Sequence, residues 1–547
     1  MNDRFATHQV ENQPPSLFPY DAYDSDLPMR EAIAREGGEW AQPQLQAYGV
    51  LAGGEMMGLG VQANQHKPQF KPVDAYGRRL DEVEFHPAYH RLMQLGTSHG
   101  VSGFAWRHAD APGAHVARAG LMFMHNQADQ GTCCPLTMTY ACVPALRHSP
   151  ALAKQWLPRI LAADYDGSQR PAWLKAGNTI GMGMTEKQGG SDVRSNTTRA
   201  IVAGDGFHEL TGHKYFFSAP MCDAFLVLAQ AAGGLSCFLL PRFAPDGQRN
   251  AIRIERLKDK LGDHSNASGE VELQGASAWL VGEEGRGVAT ILQMVALTRQ
   301  DCLIGSASLM RQALVQALHH TRHRRAFGKR LVEQPLMRNV LADLALESEA
   351  ATALTFRVAR AVDSSARSDS EAALARVVTA LGKYWVCKRC TPFVNEAQEC
   401  LGGIGYVEDT AMPRLLRQAP LNSIWEGSGN IQCLDVLRAL QREPACREAY
   451  FGELRAAAGG HSLLDGETAA LDRMLAADPT ALQGQSRWLA ERMALALQAA
   501  IFVRSGDAVV ADIFCQSRLG GAHGLAFGTL PAAAPVEHLL ARAWAAE

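Results

Sequence analysis

The sequence has no long apolar run. The nearest, AFLVLAQAA from Ala224 to Ala232, is interrupted by Gln230 and falls well short of the ~18 residues that a membrane span requires, so no membrane partner is expected. Nor is there an excess of one charge: 53 Lys and Arg stand against 56 Asp and Glu, a net of -3, which excludes a whole-molecule field drawing the protein onto nucleic acid and leaves only local patches. The 12 cysteines are scattered over 547 residues, too thinly for a disulfide scaffold. The opening MNDRFATHQVENQPPS lacks the basic flank and apolar stretch of a secretory signal, and a cytoplasmic location is expected. HExxH, a Walker loop and a strand-following GxGxxG are all missing. Zinc-dependent hydrolysis, nucleotide hydrolysis and Rossmann binding therefore have no basis, and no metal site is expected. Cys387 and Cys390 have CxxC spacing but lie in a helical pattern without a second pair.

At roughly 150 residues per domain the length allows three or four domains. Residues 1–180 comprise an arm rich in Pro, Asp, Tyr and Gln to about residue 40, followed by apolar spacings of three and four (Val116, Leu121, Phe123, Met124) that predict helices with breaks at Pro112, Pro135 and Pro158. Between 181 and 288 period two replaces period 3.6, and glycine turns at Asp205-Gly206 and Gly233-Gly234 predict a compact antiparallel β domain. Helical patterning returns at 289–443 with segments long enough for a bundle: 288–325, 333–363, 371–401 and 428–441. Residues 444–547 read as a separate helical module. The fold class is therefore α+β and multidomain, in the order helix, sheet, helix, with a helical C-terminal extension.

Four segments can carry chemistry. In MGMTEKQGGSD (Met182 to Asp192), Gly189 and Gly190 admit close backbone approach, and Thr185 and Ser191 offer hydroxyls to a polar cofactor edge; the same residues suit an ordinary polar loop. In GHKYFFSAP (Gly212 to Pro220), alternation sets Phe216 and Ser218 on one strand face and Phe217 on the other, a surface for a flat heterocycle or simply an aromatic core pair. HRRAFGKRL (His323 to Leu331) gathers Arg324, Arg325 and Arg330 around Phe327-Gly328, suited to phosphate or to a helix C-terminus. Beyond ECLGGIGY (Glu399 to Tyr406), the run NSIWEGSGNIQ places Glu426 between Trp425 and a Gly-Ser turn that opens a helix. Desolvation there would raise the carboxylate's pKa toward that of a general base, whereas a solvated helix N-terminus would leave it an ordinary acid.

In this order and spacing the four segments resemble the acyl-CoA dehydrogenase family of flavoproteins over residues 50–440, with MTEKQGGSD, KYFFS, RRAFG and WEGSGNIQ at its motif positions. The resemblance is closer still to a branch tied to the adaptive response to DNA alkylation, through IGMGMTEKQGGSDVRSNTTRA, FAPDGQRNAIRIERLKDKLG and NSIWEGSGNIQCLDVLR, and it then runs over nearly the whole chain. It implies FAD and a homotetramer. It implies cofactor contacts from Met182, Gly183, Met184, Thr185, Gly190, Ser191, Phe216, Phe217, Ser218, Ile424 and Trp425, with Ser428 and Asn430 at the adenine half. Arg324 would reach the pyrophosphate from a neighbouring subunit, and Gly402 and Gly403 would line the same cofactor across an interface. Glu426 falls at the position of the catalytic base, and the alternative base position, on an earlier helix, falls at Thr298. Gln418, Glu399, Ala326 and Trp425 depart from the usual residues around cofactor, interface and base.

Two functions follow. One is a metabolic dehydrogenase for short or branched acyl-CoA thioesters. The other, which the branch favours, is a flavoprotein that binds double-stranded DNA and protects it from alkylating agents, with weak dehydrogenase activity. The extension, residues 444–547, is the expected DNA-binding module, but nine Arg face twelve acids over residues 441–547, so binding there requires Arg447, Arg455, Arg487 and Arg492 to be segregated on one surface; a solvated helix face accounts for them equally well. Arg438 is placed at the active-site channel, where it would meet a substrate or an extruded base.

Overall fold

Between Ala114 and Leu146 apolar residues occupy nearly every helical face, and such helices must be buried all round. They are: the computed structural model, which describes residues 5–204, 206–476 and 479–544, buries almost all of α1 (Ala114–Ala128) and α2 (Cys133–Leu146). Pro135 sits in the first turn of α2, where a missing N–H costs no intrahelical bond, so the break expected there does not occur; Pro158 likewise lies inside the helix Pro150–Ile160. Two further elements depart from the sequence reading. The arm contains a helix, Leu27–Arg35, whose N-cap Asp26 accepts from Met29 N at 3.1 Å and pairs with Arg311 at 3.0 Å. The helical domain also carries a hairpin, β1 (Gln69–Val73) with β2 (Arg79–Glu84).

The central sheet runs β3 (Ile180–Gly183), β4 (Arg199–Gly204), β5 (Phe207–Ser218), β6 (Ala224–Ala231), β7 (Gly234–Pro241), β8 (Ile252–Leu257) and β9 (Ser268–Val281). Its order is β3-β6-β4-β5-β9-β7, with β8 on β9 and β6 also on β7, so the strands close upon themselves. The all-antiparallel expectation needs correction, because β3 and β6 pair in parallel, as do β4 and β6 at Arg199 and Gln230. Parallel pairing requires a long crossover, here the excursion through the loop and the β4–β5 hairpin. The β6–β7 hairpin turns at residues 232–233, just before Gly234. The expected β4–β5 turn includes Asp205, which lies outside the described residues.

The bundle consists of α3 (Gly287–His323), α4 (Pro335–Ser364), α5 (Asp369–Glu399) and α6 (Gly429–Arg442). Here the extension differs from a separate module. Its longest helix, α7 (Ser486–Ser505), packs on α4, α5 and α6, and Tyr450, Leu489, Met493, Phe502 and Phe514 join the same apolar core as Leu346, Leu381 and Val394. A second core unites α2, the sheet and the start of α3. All 12 cysteines are buried and unpaired. Among the described residues no helix is long and apolar enough to cross a membrane.

Candidate active site

The loop after β3 is held by a charge pair that the sequence reading did not single out. Glu186 and Lys214 are both fully buried and meet at 2.8 Å, Lys214 Nζ also donating to Leu228 O of β6 at 2.8 Å. Glu186 further accepts from the backbone N–H and hydroxyl groups of Thr197 and Thr198. These donors and the Lys214 ammonium outweigh burial and hold the Glu186 carboxyl well below the usual carboxylate range. The available signal was a lysine amid the aromatic strand HKYFFS, a residue almost never buried without a partner.

The loop and strand then divide by direction. Thr185 and Met184 are half-buried, and Gly190 and Ser191 are exposed at the loop's outer edge. Phe216 is 50% exposed beside the half-buried Ser218, as alternation predicts. Phe217 is wholly buried against Phe225, with ring centroids 4.2 Å apart. Its side chain and that of Met182 both pack into the second core. Gly183 is a packing glycine: a Cβ there would lie 2.5 Å from Phe217 Cδ2. Gly183→Val should accordingly cost about 1–3 kcal/mol by overpacking. Thermal denaturation checks this, and an unchanged Tm would overturn it.

Glu426 is carried on a backbone few residues adopt, with φ of +58°, between the exposed Ile424, the half-buried Trp425 and Gly427 at +97°. Such a conformation persists only where the surroundings over-determine it. Lys383 of α5, itself buried, donates to Trp425 O at 2.8 Å and Gly427 O at 2.6 Å. Arg299 Nε and Gln432 Nε2 donate to Glu426 O at 3.0 and 3.1 Å, and Trp425 Nε1 donates to Asn422 Oδ1 at 2.9 Å. The side chain is fixed at one oxygen: Thr298 Oγ1 donates to Glu426 Oε2 at 2.8 Å. Desolvation raises the carboxyl's pKa, against the opposing pull of Thr298, Lys383 and Arg299. The two base positions of the sequence reading thus meet as acceptor and donor.

Ser428 and Asn430 are exposed at the N-terminus of α6. The remaining predicted residues lie elsewhere in this chain. Arg324 ends α3, 26 residues beyond Thr298 and so about 39 Å along the helix, where its guanidinium donates to Asn12 O at 2.7 Å. Gly402 and Gly403 form an exposed turn beyond α5, Gly402 with φ of +65°. Arg438 stands in solvent on α6, about 15 Å along the axis from Ser428.

A helical domain, a closed sheet and a helical bundle define the acyl-CoA dehydrogenase fold. Residues 12–167 match the adaptive response protein AidB N-terminal domain, 181–276 the acyl-CoA dehydrogenase middle domain, and 285–441 the acyl-CoA dehydrogenase C-terminal domain. The chain is 53% identical over 440 residues to the "Putative acyl-CoA dehydrogenase AidB" of Escherichia coli (strain K12), covering 80% of this chain and 81% of that one. It is 33% identical over 411 residues to acyl-CoA dehydrogenase family member 11 of Caenorhabditis elegans, covering 72% and 66% respectively. The solved structure of C. elegans ACDH-11 in complex with C11-CoA superposes with a TM-score of 0.87 at 26% identity, covering 95% of both chains. This chain belongs to the acyl-CoA dehydrogenase family.

Family membership implies FAD as the cofactor, and the residues present fit it. Phe216 and Ser218 offer an open aromatic and hydroxyl surface, and Gly190 keeps clear a space that a Cβ would fill, 2.5 Å from Thr185 Oγ1. At α6 the donor set is a hydroxyl, an amide and free helix N–H groups, suited to polar and anionic portions of a dinucleotide.

Proposed function

We propose that the protein catalyses FAD-dependent α,β-dehydrogenation of an acyl-CoA thioester. The observation that carries this reading is the Glu426 carboxylate, fixed through one oxygen by Thr298, while no hydrogen bond among the described residues reaches Oε1. Oε1 takes the α-proton; a raised pKa makes the carboxylate a better proton acceptor near neutral pH. FAD, when bound, supplies the hydride acceptor. Thr185, Ser191, Phe216 and Ser218 orient its ring, Met182, Gly183 and Phe217 contribute through their main chain, and Met184, Ile424 and Trp425 border it. Arg324, Gly402 and Gly403 serve the cofactor of another copy in a homotetramer, since the length of α3 separates Arg324 from its own Glu426. A panel of acyl-CoAs of graded chain length, mixed anaerobically with the holoprotein, tests the reading. Bleaching of the flavin absorbance is expected for at least one, and none across the panel would refute it.

A second reading, DNA binding in an alkylation response, is supported by the match of residues 12–167 to the AidB N-terminal domain. The charge of the extension weighs against the arginine surface expected for it. Arg447 is paired with Asp472, Arg455 with Glu448 and Arg492 with Glu467, so three of those four cations are already neutralised by neighbouring acids. Binding of a duplex oligonucleotide measured against salt separates the readings. A DNA-contacting protein loses affinity steeply, with a log-log slope of about −0.9 per phosphate contacted. A flat slope, or no binding near physiological salt, removes this one.

A further inference from the structure

Arg487 differs from the other arginines of the extension whose partners are carboxylates. Arg504 is paired with Glu453, Arg518 with Asp343 and Glu347, and Arg542 with Glu31 and Glu349, in addition to the three pairs above. Arg487, in the first turn of α7 and exposed, instead donates through Nε to a neutral amide, Asn430 Oδ1, at 2.7 Å. Among the described residues no carboxylate pairs with it, and the amide it steers belongs to the segment at which family resemblance places the adenine half of FAD.

A second cation converges from a different element. Lys388 of α5 is exposed, and its Cε lies 3.1 Å from where a Cβ on Gly429 would stand; Arg487 Nη2 lies 3.6 Å from the same point. The Lys388 side chain, the Tyr384 ring and the Arg487 guanidinium therefore pack around Gly429, and the two cationic side chains stand beside the N-terminus of α6, an arrangement that favours a phosphate. Arg487 lies outside residues 285–441, which match the family's C-terminal domain.

We propose that the C-terminal extension is part of the cofactor site, with Arg487, aided by Lys388, holding the phosphate-bearing half of FAD against the start of α6. The proposal rests on the flavoprotein reading above. It gives α7 a task in cofactor retention that is independent of any DNA contact.

The test is release of FAD from purified holoprotein on dilution, followed by recovery of flavin fluorescence, for wild type, R487A, R487Q, K388A and R447A. R487Q can still donate to Asn430 but carries no charge. The expected result is FAD binding roughly 10- to 100-fold weaker in both R487A and R487Q, and a smaller loss in K388A, because a charge-assisted contact is removed. Affinity in R487Q should also depend less on salt, and R447A, whose partner is Asp472, should match wild type. Wild-type affinity in R487Q overturns the proposal, because Arg487 would then only buttress Asn430. If R487A fails to fold, R487Q decides alone. A wild-type protein that holds no FAD would instead defeat the flavoprotein reading, so the two failures are distinguishable.

Discussion

Glu426→Gln is expected to slow acyl-CoA-driven flavin bleaching by roughly 10²- to 10⁴-fold, the range for loss of a positioned general base, while FAD remains bound. Glutamine is nearly isosteric and can still accept from Thr298, so the backbone held by Lys383, Arg299 and Gln432 keeps its shape and only the proton acceptor is lost. Stopped-flow absorbance measures the rate, and bleaching at the wild-type rate would remove Glu426 from the reaction. In the wild type, activity should climb with pH as Glu426 loses its proton, with a midpoint above the ordinary carboxylate range because burial raises this pKa. The sign for stability is opposite. A carboxyl whose folded pKa lies above its unfolded value favours the native state most at low pH, and that contribution is lost as pH rises through the raised value. Neutral glutamine escapes the loss. The variant should therefore melt at a higher temperature than wild type near pH 7, gaining stability where it loses chemistry.

Lys214→Met should cost about 3–5 kcal/mol, the penalty for stranding one partner of a buried ion pair. Glu186 would be left in the protein interior with the threonine donors and Gln188 Nε2 to satisfy it but no partner charge, and the tie from β5 to β6 through Leu228 O would be gone. Urea denaturation should reveal the loss, and a change below about 1 kcal/mol would mean that the threonines and Gln188 suffice. Adding Glu186→Gln to the same chain should recover much of the stability, since it removes the stranded charge. In the wild type the depressed pKa of Glu186 makes the pair's contribution present above the unfolded carboxylate value and lost as pH falls through the folded one. Because Glu186 lies between Thr185 and the Gly189-Gly190 turn, the same substitution should loosen FAD.

The bundle helices were legible within a few residues because their apolar period runs over many turns, as in α3 and α4. The Glu426 loop was legible because a carboxylate flanked by tryptophan and glycine is an uncommon local pattern. Two features were not. Parallel pairing of β3 with β6 leaves no local signature, since the strands are joined by a long excursion rather than a turn. The buried Glu186–Lys214 pair is likewise set by a meeting of residues 28 positions apart, which neither spacing nor composition specifies. Alternation sets Phe217 on the strand face opposite Phe216, and there it is buried. The extension was read as separate because its composition shifts beyond Pro444, although composition says nothing of which apolar faces meet.

That shared apolar interior makes the last hundred residues a poor candidate for a portable tail. Cutting the chain near Pro444 would strip the cover from Leu346, Leu381 and Val394 and leave Tyr450 and Phe502 without a counterpart, so neither fragment would keep its shape. A chimera that grafts the C-terminal part onto an ordinary relative would therefore inherit a seam, because the apolar faces that meet it here would have no counterpart there.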